Sequence, residues 1–146
     1  MPSSRINFMS AAEKQLAGIM ELPSPAATGK QHPDTFALFA HCFTCTKDLK
    51  AIVRISRGLA KRNIAVLRFD FTGLGDSQGN FADTNIESNL SDIKSASRWL
   101  AEHYQAPSLL IGHSLGGAAM MASVESIPSC RALVQGPLYC ADGTLT

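Results

Sequence analysis

Long hydrophobic runs are missing from this sequence: the longest, Phe36 to Ala40 and Ala118 to Ala122, are far too short to span a bilayer. The first ten residues carry one arginine and no apolar segment behind it, unlike a secretory signal, so a soluble cytoplasmic protein is expected. Cysteine is sparse. Cys42, Cys45, Cys130 and Cys140 are too few and too unevenly spaced for a disulfide framework, and free thiols are expected. An excess of one charge is lacking too: 13 Lys and Arg face 12 Asp and Glu, for a net charge of +1. With no basic stripe or acidic run, nucleic acid and anionic membrane are not expected as partners, and a neutral small molecule is. Internal repeats and low-complexity tracts are absent, and only Pro23 to Pro33 reads as a surface loop. What is present is 45% apolar content in 146 residues, enough for one core and one domain over residues 1–146.

The order of elements follows from periodicity. Ile6 to Phe8 and Leu16 to Leu22, parted by polar residues, suggest antiparallel edge strands. Thr35 to Ala40 and Ile64 to Phe69 are short, nearly continuous apolar runs, as expected of strands buried on both faces of a parallel sheet. Between them, from Thr46 onward, Leu49, Ile52, Val53, Ser56, Leu59 and Ala60 recur at helical spacing, with Lys47, Lys50, Arg54, Arg57 and Lys61 largely on the other face. Thr84 and Glu87 suggest a capping box that opens a second helix with Ile86, Leu90, Ile93, Ser97, Leu100 and Tyr104 on one side. A third strand, Ser108 to Ile111, delivers a glycine-rich turn and a helix over Ala118 to Ile127, and Ala132 to Val134 reads as a fourth parallel strand. This alternation defines an α/β class, a mostly parallel sheet with helices on both faces and ligand chemistry at the carboxyl ends of the strands.

One turn carries chemistry. Gly112-His113-Ser114-Leu115-Gly116, between an apolar strand and an alanine-rich helix, has the pattern of a nucleophile elbow. Small residues two before and two after the serine let the chain fold sharply enough to hold it in a strained conformation with its hydroxyl clear of the sheet. The helix behind it favours developing negative charge. The bland alternative is a glycine-rich turn. Acyl transfer also needs two backbone donors for the oxyanion. By position these are Leu115 N–H and, in the loop after the first buried strand, Phe43 N–H in preference to Cys42.

Three stretches together, Phe39 to Asp48 with its His-Cys-Phe-Thr-Cys, Arg68 to Gly75, and Gly112 to Gly117, are similar to the hydrolase module of bacterial α/β-hydrolase/OsmC-like fusion proteins. The likeness runs from about Arg5 to Val134. It implies a three-layer α/β-hydrolase sandwich and esterase-like acyl hydrolysis. In that fold the acid and histidine follow the serine on later strands. Here the residues after Ser114 contain no histidine, and the likeness stops after Val134. The sequence therefore reads as a C-terminally truncated or minimal hydrolase lacking the last strands.

A substitute base must come from His32, His41, His103, His113 or a second subunit. His113 should point away from the nucleophile, His103 sits near a helix end, and His32 lies on the wrong side of its strand, so His41 is the candidate base. Its bland role is to pack or orient the loop. Asp142 is a candidate acid, or else a solvated tail carboxylate. Asp70 and Asp76 read as turn-forming. An uncovered sheet edge implies a homo-oligomer, a dimer that pairs edges or exchanges segments.

The sequence thus points to a carboxylesterase-type serine hydrolase that acts on small short-chain esters through a Ser114 acyl-enzyme, without cofactor or metal. Two readings compete. Cys42-Phe43-Thr44-Cys45, after a strand and at a helix start, would suit thiol redox chemistry. The missing histidine would suit a non-catalytic interaction module.

Overall fold

In a computed structural model of the protein, residues 3–42 and 46–136 are described. Among the described residues six strands form one sheet in the order β1-β2-β4-β3-β5-β6, namely β1 Ser3–Met9, β2 Gln15–Glu21, β3 Thr35–Ala40, β4 Ile64–Phe69, β5 Leu109–His113 and β6 Ala132–Gly136. The hairpin β1–β2 is antiparallel, β2 joins β4 antiparallel, and β4, β3, β5 and β6 run parallel. The α-helices among the described residues are α1 Pro25–Thr28, α2 Lys50–Lys61, α3 Ile86–His103 and α4 Leu115–Ser123. The expected class is therefore found, with β3 and β4 at the bounds their apolar runs indicated.

The central strands are buried on both faces because alternate side chains feed two cores. Phe36, Leu38 and Ala40 of β3 join Leu67, Phe69, Leu110 and the inner faces of α3 and α4, while Ala37 and Phe39 join Val66, Ile111 and Ile52 of α2. This double burial is why the strands read as continuous rather than alternating apolar runs.

Local expectations needed correction at several points. The proline-rich stretch includes the short helix α1, started by Pro25 at its first turn and stopped by Gly29 in the left-handed region. Helix α3 is capped by Asn85 with Ser88, not by Thr84 with Glu87, because the Thr84 hydroxyl is already donating to the Phe81 carbonyl in the preceding 3-10 turn. Its buried face is Asn89, Asp92, Ile93, Ala96 and Leu100, which leaves Ile86 exposed. Helix α2 begins only at Lys50, so Lys47 is not on a solvated helical face. It is buried, for a reason that belongs to the site.

Candidate active site

The elbow is built as its sequence requires. Strand β5 ends at His113 and α4 begins at Leu115, leaving Ser114 alone between them at φ 57° and ψ −120°. A side chain held there costs on the order of 1 to 3 kcal/mol, which the surrounding turn must impose. Two close approaches do so. A Cβ on Gly112 would stand 2.2 Å from the Gly117 Cα, and one on Gly116 would stand 2.2 Å from the His41 carbonyl oxygen. The Ser114 amide donates to the Gly136 carbonyl of β6, and its own carbonyl accepts from Gly117 and Ala118. Its side chain makes no capping bond to α4, so the half-buried hydroxyl is not spent on the helix. Leu115 N–H stands in the first turn of α4, where no intrahelical acceptor exists and the helix dipole favours negative charge.

Beside the elbow, at the end of β3, lies His41, 1% exposed. Its Nδ1 faces the Cys42 carbonyl, its Nε2 approaches Asp70 Oδ1 at 3.4 Å outside hydrogen-bond geometry, and its ring packs edge-on against Phe71. Asp70, the residue after β4, has no exposed surface. Its Oδ1 accepts from Lys47 N at 2.8 Å, and its Oδ2 accepts from Lys47 Nζ at 2.7 Å and Asp76 N at 3.0 Å. The Lys47 side chain is 3% exposed, and its ammonium donates also to Asp76 at 2.8 Å and Asp48 at 3.1 Å. Burial by itself would raise the Asp70 carboxyl, but the adjacent His41 ring and the hydrogen bonds from Lys47 and Asp76 outweigh it and hold the group down at about 2. For Lys47, burial opposes the charge, yet the carboxylates around it raise its pKa above the ordinary lysine value. Asp70 and Asp76 were expected only to form a turn, and this network was missed. The available signal was an aspartate directly after a buried strand.

The other candidates are dispersed. His32 lies before β3, at the amino end of the parallel strands, opposite the end that carries the elbow. His103 is exposed, stacked on Trp99 with ring centroids 4.3 Å apart. His113 faces the α2 side, in a groove with Phe39, Ile52 and Ile111, and its buried Nδ1 has no partner among the described residues. Phe43, Cys45, Cys140 and Asp142 lie outside the described residues. Cys42 is buried and disulfide-bonded, contrary to the expectation of free thiols, whereas Cys130 is free. Among the described residues, no group of three or more His, Cys, Asp or Glu could hold a metal ion, and no helix is long and apolar enough to cross a membrane.

A mostly parallel sheet whose strand β5 runs into a strained serine and then a helix defines the α/β-hydrolase class. The sequence pattern of the Alpha/beta hydrolase family matches residues 37–145, and the chain belongs to that family. The mitochondrial palmitoyl-protein thioesterase ABHD10 of Rattus norvegicus is 29% identical over 126 residues, covering 86% of this chain and 41% of the relative. The esterase domain of a Rhodothermus marinus protein is 41% identical with a TM-score of 0.75, over 95% of this chain and 52% of that one. A serine hydrolase without a lid from Xanthomonas campestris, 19% identical, shares the fold with a TM-score of 0.78 over 94% of this chain and 63% of its own. The chain thus spans about half the length, or less, of the first two proteins.

Proposed function

We propose that this chain is the nucleophile-bearing part of a serine ester hydrolase that acts on small short-chain esters through an acyl-enzyme on Ser114. The observation that carries the reading is the strained backbone of Ser114 at the N-terminus of α4. A serine confined at φ 57° by Gly112 and Gly116 has no evident structural use, and a protein without acyl chemistry need not keep that strain. The likeness to a Rhodothermus esterase domain supports the same class, and the thioesterase named for the rat relative makes thioesters a second substrate to assay.

In this mechanism Ser114 Oγ attacks the acyl carbon and gives its proton to a general base as the C–O bond forms. The oxyanion is held by Leu115 N–H and by Phe43 N–H, the alkoxide leaves with a proton, and water then releases the acid. His41 is a poor base, since its ring is buried with both nitrogens turned to Cys42 and Asp70. Elbow and oxyanion donors without a positioned histidine retain on the order of 10³ to 10⁴ in rate over water. Slow turnover is therefore expected of the chain on its own.

The test is hydrolysis of p-nitrophenyl acetate and butyrate by the 146-residue chain beside Ser114→Ala, with fluorophosphonate labelling of both. Turnover and labelling that vanish in the variant support the reading. Equal background in both removes it in favour of an interaction module or of thiol chemistry at Cys42 and Cys45.

A further inference from the structure

The two faces of the sheet are covered unequally. On one, Leu110 of β5 and Leu133 of β6 pack with Ala119 and Met120 of α4. On the other, Ile52 of α2 packs with Ala37 and Phe39 of β3, Val66 of β4 and Ile111 of β5, and among the described residues the outer part of that face is bare. A groove of about 450 Å³ runs there between α2 and the β6 edge. Its wall is Leu49, Ile55 and Leu59, on and just before α2, and its floor is Leu109, Ile111 and Val134. Leu49, Ile55 and Val134 are exposed although all are large and apolar.

Dimensions narrow the choice of occupant. Two strands about 4.8 Å apart make a strip about 10 Å wide, the diameter of one α-helix. The strip follows β5 from Leu109 to His113 and α2 from Leu49 to Leu59, a length of about 15 Å, or three helical turns. An acyl chain is too narrow to cover it. A second copy does not cover it either: antiparallel pairing of β6 with its twin, about a two-fold axis normal to the sheet, would set the second α2 as far from the seam as the first and leave two bare strips side by side. Nor would a further crossover outward from β6 fill it, since the right-handed step from β5 to β6 lays α4 on the opposite face and the next would do the same.

Charge sets the composition of the helix that fits. Helix α2 carries Lys50, Arg54, Arg57 and Lys61 and no acidic residue. Arg57 is turned to Glu21, whereas Lys50, Arg54 and Lys61 are exposed and follow the apolar stripe around the helix on its outer side. Ala51 in the groove wall, and Gly58, where an added Cβ would meet nothing within 4 Å, let another helix backbone come close. At the elbow end of the groove the buried His113 Nδ1 has no partner among the described residues and is open to a polar side chain of the occupant. We propose that the strip over β5 and β6 beside α2 is the docking surface for one amphipathic α-helix of a partner polypeptide, with acidic residues flanking its apolar stripe. The proposal is independent of the acyl chemistry of Ser114.

The probe is a lactam-bridged helical peptide of about 14 residues, with Leu recurring at every third and fourth position and Glu on both flanks of that stripe. Two twins accompany it, one with Lys for every Glu and one with a central proline that breaks the helix. Fluorescence anisotropy with the 146-residue chain is expected to give a Kd at least about tenfold lower for the Glu peptide than for either twin, and a Kd that rises with salt. Ile55→Gln should weaken the Glu peptide at least about tenfold, and Met121→Gln, on the opposite face, should leave it unchanged. Both side chains are exposed, so neither substitution removes a core contact. Amide exchange should slow along α2 and β6 in the complex. Absence of binding, equal affinity for the Glu and Lys peptides, or undiminished binding by the proline twin or by Ile55→Gln overturns the proposal. So do two other outcomes: a dimeric wild type that ignores the peptide and that Ile55→Gln turns into a monomer, which assigns the groove to a second copy, and protection of α2 and β6 by dodecanoate but not by the peptide, which assigns it to an acyl chain.

Discussion

The His41 carbonyl oxygen occupies the space that a side chain at Gly116 would need, 2.2 Å from the ideal Cβ. The end of β3 and the start of α4 are thereby in backbone contact, and the nucleophile turn depends on both. Gly116→Ala must push two backbones apart. It is predicted to lower stability by about 1 to 3 kcal/mol, the usual cost of overpacking. Where the variant folds, it should lose Ser114-dependent turnover more than thermal stability would explain. Denaturant unfolding and ester hydrolysis on the same sample check this, and a variant with wild-type stability and rate would contradict the contact.

Acid should unfasten the network around Asp70. Its carboxyl is held at about 2 in the folded protein against an ordinary 3.8. The stability it contributes is thus fully present above about pH 4 and disappears as pH falls through about 2, an effect on the order of 2 kcal/mol. Asp92 behaves in the opposite sense: burial raises its pKa, and bonds from Thr72 offset this only in part. Its contribution is present below the ordinary carboxylate value and is lost as pH rises through the raised one. Asp92→Asn, which can still accept from Thr72 N, is therefore predicted to match or exceed wild-type stability at pH 7, with the advantage shrinking at pH 3. Urea titrations at pH 7, 5, 3 and 2.5 test both signs.

Cys42 and Cys130 should differ in thiol chemistry. The first is buried and disulfide-bonded, and the second is free and partly exposed, with its Sγ 3.5 Å from the Ala132 carbonyl. Alkylation of the native, unreduced protein followed by peptide mapping is expected to mark Cys130 and spare Cys42. Modification of Cys42 without a reductant would show that its sulfur is a free thiol.

Strand β6 pairs with β5 and has no second neighbour among the described residues, and Val134 on it is 53% exposed. Beside it runs an apolar groove with Phe39, Leu49, Ile55 and Ile111. An unpaired edge next to such a groove favours association. The 146-residue chain is predicted to form a dimer at micromolar concentration, and Val134→Glu to shift it toward monomer. Sedimentation of both proteins measures this, and a monomeric wild type would remove the prediction.

What the sequence determined by itself is local or periodic. Doubly buried strands announce themselves as unbroken apolar runs, so β3 and β4 were legible to the residue. The elbow was legible because its demands, small residues at fixed distances from a serine between strand and helix, fall within six consecutive positions. Other features depend on residues that are far apart in the chain. Lys47 looked like part of a solvated helical face, since composition cannot show that Asp70, 23 residues on, takes its ammonium into the interior. His41 looked like a candidate base until the fold turned its ring to Asp70 and Cys42. Thr84 resembled a helix cap until its hydroxyl was found closing the previous turn. A side chain's partners are set by which strand ends lie side by side, and in a parallel sheet those neighbours are brought together by crossovers that no short window of sequence contains.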